Sequence, residues 1–242
     1  MLETITIFDD EQTAQGRARS HRVTDIKPAV RDQNRVNIYL DDKFFCSLDI
    51  SQVVDLKLKI GKELTVDERT ELKRASEFGK FYQRALEYAL MRPRSQKEIR
   101  DYLNRKTLSR KVCIKNRKTG EYQTREKQGY DKSLVPLVLA RLDERGYIND
   151  RHFAELWVEN RNVSKGTSTK KLRNELMQKG ISAQIIDEVL EQGTRSDADE
   201  LCKIIARKAN RYPDQQKLIQ YLVRQGFNYS DVIDALSSSD GS

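Results

Sequence analysis

Apolar positions along this chain change their spacing from strand-like to helical. Strand-like runs come first: Val23-Thr24-Asp25-Ile26, then Arg35-Val36-Asn37-Ile38-Tyr39-Leu40, then Phe44-Phe45-Cys46-Ser47-Leu48. β-branched residues in alternation predict strands, and Asp41-Asp42-Lys43 between the last two runs predicts a hairpin turn. A short helix over Ser51 to Leu58 and a turn at Gly61 complete a small α+β head at 21–65, behind a tail at 1–20 expected to be flexible. From Thr65 the spacing is helical. Thr65-x-x-Glu68 has capping-box spacing, and Leu72, Ala75, Phe78, Tyr82, Leu86 and Ala89 recur at steps of three and four, one face of a long helix. Arg92-Pro93-Arg94 stops that helix, and Ser95-x-x-Glu98 predicts a second capping box with Ile99 and Leu103 inward. Asp150, after Tyr147-Ile148-Asn149, is read as the cap of the helix it opens.

The later half repeats itself. Leu172, Leu176, Gly180, Ile181, Ile186 and Leu190 match Leu218, Leu222, Gly226, Phe227, Val232 and Leu236 without a gap, a period of 46 residues (218 less 172). Each copy reads as a helix, a glycine C-cap with an apolar residue after it, and a second short helix. An apolar helix precedes each copy, Phe153 to Val158 and Leu201 to Ala209. The same template fits earlier, with Ile99 and Leu103 in the middle helix and Val138 and Leu142 in the last. The expected fold is therefore mainly α: tandem three-helix repeats in an extended curved array, with the α+β head and a β-hairpin insertion in the first repeat. The boundaries read 66–148 for the first repeat, 149–193 for the second and 194–242 for the third. Stacked repeats of this kind commonly present a face to a long partner; a compact helical domain grown by duplication is the alternative.

Charge sharpens the picture. The chain is 37% hydrophobic and 34% charged, with a net charge of +8, which fits either an anionic partner or a generic soluble protein of high pI. Residues 105–128 hold nine basic and two acidic residues, net +7 (9 less 2), whereas 1–65 is net −1, with ten basic and eleven acidic. Within 105–128, Val112-Cys113-Ile114 and Glu121-Tyr122-Gln123-Thr124 flank Gly120, the pattern of a β-hairpin. Concentrated charge on a projecting hairpin repels itself unless a polyanion neutralises it. The candidate contacts are Arg110, Lys111, Lys115, Arg117, Lys118, Arg125 and Lys127, with Tyr122 able to stack on a base; a solvated basic loop is the alternative. A second group comprises Arg161, Lys165, Lys170, Lys171 and Arg173 around Gly166-Thr167-Ser168-Thr169, which opens a helix. That helix start reads equally as an anion site or as ordinary capping. Arg92 and Arg94 could reach an acidic protein surface or pair locally with Glu98.

Several kinds of chemistry find no support. Gly61-Lys62 lacks the upstream glycine of a phosphate-binding loop, and there is neither G-x-G-x-x-G nor G-x-S-x-G. His21 and His152 stand alone, and Cys46, Cys113 and Cys202 follow no metal or disulfide spacing; each cysteine is expected to be a small, partly buried side chain. No catalytic constellation, cofactor or metal is expected. The N-terminus lacks a signal-peptide pattern and no apolar run approaches a membrane span, so a cytoplasmic location with no membrane partner is expected; the chain is also expected to be a monomer.

Ordered pieces resemble one known family. They are Ala85-Leu86-x-x-Ala89-Leu90, Arg92-Pro93-Arg94-Ser95-x-x-Glu98-Ile99-x-x-x-Leu103, Leu142-x-x-x-Gly146-Tyr147-Ile148-Asn149-Asp150-x-x-Phe153-Ala154-x-x-Trp157-Val158-x-x-Arg161 and Leu172-x-x-Glu175-Leu176-x-x-Lys179-Gly180-Ile181. Together they resemble the RecX family over roughly 80–236, and the head resembles an N-terminal extension carried by some members. The resemblance implies tandem three-helix repeats that lie in the groove of the RecA recombinase filament on single-stranded DNA. It also implies suppression of that filament's ATP hydrolysis and strand exchange, and weak DNA binding by the regulator itself. The basic insertion at 105–128 departs from the shorter family pattern and implies a possible added DNA contact.

Overall fold

The computed structural model describes residues 20–30, 32–116, 120–164, 166–193, 196–212 and 214–239. The predicted tail at 1–20 lies outside these, apart from Ser20. The chain divides after Lys80 into two compact units.

The first unit contains strands β1 (His21–Ala29), β2 (Asp32–Leu40), β3 (Lys43–Asp49) and β4 (Glu63–Leu64) and helix α1 (Ile50–Asp55). The strands form one antiparallel sheet in the order β3-β2-β1-β4. Asp41 and Asp42 make the two-residue β2–β3 turn with φ of +47° and +61°, the left-handed pair such a tight hairpin requires. Because β4 pairs only with His21 and Arg22, the far half of β1 is an edge, the setting in which a strand tolerates a proline such as Pro28. Val23, Ile38, Leu40, Cys46, Leu48, Leu58, Leu64 and Leu72 form the core of the head. Beside it Arg35 is buried, held by Asp49 Oδ1 at 3.0 Å and the Ser47 carbonyl at 2.6 Å.

Helix α2 (Val66–Leu90) opens with the predicted capping box: Thr65 N–H donates to Glu68 Oε2 at 2.9 Å and Glu68 N–H to Thr65 Oγ1 at 3.2 Å. Its buried face differs from the predicted one. Of the six predicted positions only Leu72 is fully buried; Ser76 and Gly79 join it in the first unit, and Phe81 and Ala85 are buried in the second. One helix serving two cores need not keep a single apolar stripe. A Cβ at Gly79 would lie 3.0 Å from Asp49 Oδ2, so a side chain there would press on that carboxylate.

The second unit continues with α3 (Gln96–Lys106), strands β5 (Arg110–Lys115) and β6 (Tyr122–Lys127), α4 (Leu134–Glu144), α5 (Asp150–Ser164), α6 (Thr169–Gln178), α7 (Ala183–Gln192), α8 (Asp197–Lys208), α9 (Gln215–Arg224) and α10 (Tyr229–Ser239). Arg105 and Lys106 therefore end a helix, although the sequence places the insertion from 105. The two 46-residue copies bury matching residues. Phe153, Leu172, Leu176, Ile181 and Ile186 share one cluster, and Leu201, Leu218, Leu222, Phe227 and Val232 share another. The predicted glycine caps form after α6 and α9: Gly180 and Gly226 have φ of +82° and +94°, and the N–H groups beyond them close back onto the last turn. Of the cysteines only Cys46 is buried, and burial pushes its thiol up to about 11. Cys113 and Cys202 are exposed, against expectation, because β5 has no covered face and Cys202 stands on the outer side of α8.

A repeated junction joins helix ends in the second unit. At the start of α3, Ser95 Oγ accepts from Glu98 N–H at 3.2 Å and donates to the Lys179 carbonyl at the end of α6 at 2.7 Å. At the start of α6, Ser168 Oγ accepts from Lys171 N–H at 3.2 Å and donates to the Gln225 carbonyl at the end of α9 at 2.7 Å. Each serine thus satisfies one orphan donor and one orphan acceptor of two different helices. A carboxylate completes each junction. Asp150 Oδ1 accepts from Gln96 N–H at 2.7 Å, and Asp197 Oδ1 accepts from Thr169 N–H at 2.8 Å. The expectation for Asp150 is corrected: Asn149 caps α5 through His152 N–H at 2.9 Å, while Asp150 caps α3. The second predicted capping box forms only by half. The Glu98 carboxylate turns to Arg92 at 3.2 Å and Lys179 at 2.8 Å, the local role weighed for Arg92.

These junctions generate two predictions. Burial raises the Asp150 carboxyl above its ordinary value, against the lowering effect of the Gln96 N–H. A raised carboxyl favours folding below the unfolded value and loses that contribution as pH rises. Asp150→Asn, which keeps the acceptor without the charge, is expected to match or exceed the native stability at pH 7. Asp150→Ala is expected to lose about 1–2 kcal/mol in urea unfolding. For Glu98, burial pushes the carboxyl up but its bonds to Lys179 and Arg92 outweigh this, so the net shift is downward from 4.5. The ion pairs then stabilise the fold above pH 4.5 and fade as pH falls through the lower folded value. Glu98→Gln is expected to cost about 1 kcal/mol at pH 7, with the difference closing in thermal unfolding below pH 4.5.

Candidate nucleic-acid interface

The hairpin forms where the charge and turn pattern place it. Register sets Arg110 opposite Lys127, Val112 opposite Arg125 and Ile114 opposite Gln123 on one face. Lys111 opposite Glu126, Cys113 opposite Thr124 and Lys115 opposite Tyr122 share the other. Every side chain of the two strands is exposed except Val112, which is half-buried. A two-stranded ribbon without a covered face is marginal in water, so its ends matter. At the tip Asn116 N–H donates to the Glu121 carbonyl at 2.8 Å, and Gly120 turns with φ of +75°. At the root Tyr130 N–H donates to the Lys106 carbonyl at 3.1 Å. Gly129 lies so close to the Thr107 carbonyl that a Cβ would stand 2.0 Å from its oxygen.

The charge is presented unevenly. Arg110, Arg125 and Lys127 line one face. On the other, Lys115 Nζ sits 5.8 Å from the ring centroid of Tyr122, which is 71% exposed. A tyrosine so placed offers a flat apolar surface beside cations, the combination that holds unstacked bases and phosphates. Arg117, Lys118 and Lys165 lie outside the described residues, and Arg161 is placed only as part of α5.

The second basic group is largely engaged within the protein. Arg173 pairs with Asp187 at 2.5 Å, and Lys171 Nζ donates to Gln225 Oε1. Ser168 and Asp197 take the first N–H groups of α6, and Thr167 and Ser168 are buried. Of the two readings of this helix start, capping is the one realised. Lys170 remains exposed. Arg94 is likewise internal: its guanidinium lies 3.5 Å over the Tyr88 ring and Nε donates to the Tyr88 carbonyl at 2.7 Å.

One contributor carried no signal in the sequence. Arg84 of α2 reaches the root of the hairpin together with Tyr102 and Tyr130. In the sequence Arg84 is one more outward cation on an amphipathic helix, like Arg74. Only packing of α2 against α3 brings it to the hairpin.

No group of metal-ligating side chains occurs among the described residues, and no helix among them is long and apolar enough to cross a membrane. These features define a mainly helical protein with a strand-built N-terminal head, serine-linked helix ends and an exposed basic hairpin. Two family models match: "Regulatory protein RecX N-terminal domain" over 21–65, and "RecX, second three-helix domain" over 149–190. The regulatory protein RecX of Bacillus subtilis is 30% identical over 220 residues, covering 88% of this chain and 75% of that protein. That of Bacillus licheniformis is 29% identical over 225 residues, covering 90% and 77%. A crystal structure of a regulatory protein RecX superposes with a TM-score of 0.70 at 23% identity, over 88% of this chain and 99% of that one. One from Lactobacillus salivarius gives 0.51 at 20% identity, over 69% and 99%. The chain belongs to the RecX family of regulatory proteins.

The tight root yields a prediction. Gly129→Ala forces a Cβ against the Thr107 carbonyl, so the hairpin base has to open. Tryptic cleavage between Arg110 and Lys127 is expected to accelerate on the order of tenfold, with the helical core unchanged in circular dichroism. Unchanged cleavage would show that the root adjusts without opening.

Proposed function

We propose that this chain is a non-enzymatic, cytoplasmic regulator that binds the RecA–single-stranded DNA filament and inhibits its ATPase and strand exchange. Family membership supports the regulatory role. The single observation carrying the nucleic-acid side is the exposed β5–β6 hairpin, on which Arg110, Lys111, Lys115, Arg125 and Lys127 stand with no covered face. Arg117, Lys118, Arg161, Lys165, Lys170, Lys171 and Arg173 complete the proposed contact set. In this reading the three repeats at 66–148, 149–193 and 194–242 form an open curved array, acting as a monomer that bridges neighbouring recombinase subunits. Binding that favours a less active filament geometry lowers turnover by its differential affinity for that geometry. The recurrence of the serine junction supports stacked repeats, because it fixes one helix end against the next in the same way twice.

The hairpin also favours a second reading, a DNA-binding protein that acts through this arm without a recombinase partner. Deleting residues 107–129 separates the two. The cut is compact, since Lys106 and Tyr130 are already hydrogen-bonded across it. Filament docking predicts that both the intact and the deleted protein inhibit recombinase ATPase on single-stranded DNA, the deleted one more weakly. Loss of bare-DNA binding on deletion, with no effect of either protein on the ATPase, would overturn it in favour of the second reading. Any arm–phosphate contact is expected to weaken steeply with salt.

A further inference from the structure

Five cations converge at the root of the hairpin around a cavity of about 380 Å³: Arg84 of α2, Arg105 and Lys106 of α3, Arg110 of β5 and Lys127 of β6. Among the described residues no carboxylate lines it. Several other cations of the second unit are paired, as in Arg92–Glu98, Arg151–Glu188 and Arg173–Asp187. None of the five forms an ion pair among the described residues. Uncompensated like charges gathered in one concavity destabilise the fold unless an anion enters. Lys106 registers this field. Burial, and then Arg110, Arg84, Arg105 and Lys127, hold its ammonium below the ordinary lysine value.

The cavity is built rather than incidental. Its two tyrosines are backed by other rings: Tyr102 stacks on Tyr88 at 3.9 Å between centroids, and Tyr130 on Phe81 at 4.4 Å. Lys106 Nζ stands 5.0 Å from the Tyr102 centroid, and its own carbonyl accepts the Tyr130 N–H. The volume lies in the range of small-molecule sites, roughly 300–1,000 Å³, so there is room for a phosphate with its sugar.

We propose that this cavity is a phosphate-binding site for a single strand of nucleic acid, which leaves it along the Arg110–Arg125–Lys127 face of the hairpin. A free nucleotide offers the same phosphate chemistry. The strand is favoured because the positive charge does not stop at the cavity. Arg110 and Lys127 are at once its rim and the first pair of the hairpin, and Arg125 follows on the same face. The inference rests on the reading above for the identity of the anion, and it can be read without any recombinase.

The test uses the full-length chain and a fluorescein-labelled oligothymidylate, followed by anisotropy from low to moderate salt. Arg84→Gln, Arg105→Gln and Lys106→Gln are each expected to weaken binding about fivefold and to reduce the salt slope by about 0.7. Lys217→Gln on α9, which removes the same charge far along the chain, is expected to stay within about twofold. Arg84 and Arg105 are exposed, so their variants carry the test if the half-buried Lys106 variant unfolds. Cavity variants no weaker than Lys217→Gln would overturn the site and leave the filament reading standing. Displacement of the oligonucleotide by ATP at equal phosphate concentration would overturn the strand in favour of a free nucleotide. An unaffected recombinase ATPase combined with cavity-dependent oligonucleotide binding would remove the filament reading and keep the site.

Discussion

A serine hydroxyl shared between two helix ends organises the helical unit. Every helix leaves N–H groups unpaired at its start and carbonyls unpaired at its finish, and burying either is costly. Ser95 and Ser168 are both fully buried, and each resolves two such debts with one oxygen: it accepts from its own helix and donates to the carbonyl that ends another. The contact demands close approach. A Cβ on Gly226 would lie 2.5 Å from Ser168 Oγ, and one on Gly180 would lie 2.7 Å from the Lys97 Cβ. The glycines are thus required twice over, for the left-handed turn and for the neighbour pressed against it.

Around this contact the carboxylates take their places. Asp150 and Asp197 each begin a helix and each cap a different one. Glu98 gathers Arg92 and Lys179 at the α3–α6 junction. The helical body therefore spends many of its charges on internal order. The hairpin does the reverse: its described cations face outward, and it is fastened at the root, where Gly129 and the Tyr130 N–H close the neck. Structural charge and displayed charge are thus separated: the helix junctions use theirs internally, and the hairpin leaves its own exposed.

That separation bears on regulation. A protein that grips a polymeric target through packed helices can be selective for geometry, whereas a basic ribbon contributes affinity for phosphate without sequence preference. Under the proposed function, combining them would let geometry decide where the protein sits and charge decide how long it stays. Salt acts mainly on the second of these.

Local interactions were legible in the sequence because their partners lie within one turn. The Thr65–Glu68 box, the glycine caps at 180 and 226, the Asp41-Asp42 turn and the hairpin around Gly120 all follow from spacing over a few residues. So did the matching cores of the two 46-residue copies, since a helix announces its inner face by period. What spacing could not carry is any bond whose partner is remote. Ser95 meets Lys179 across 84 residues, and Asp150 meets Gln96 across 54. Nothing near Asp150 distinguishes a cap for its own helix from a cap for another. Arg84 looked like any solvent-facing cation, and α2 shows one apolar stripe in sequence but serves two cores. The sequence alone determined which segments become helix, strand and turn, and where the charge gathers. Tertiary packing decided which helix ends meet and which cations remain unpaired, because those outcomes depend on distances that only the assembled fold defines.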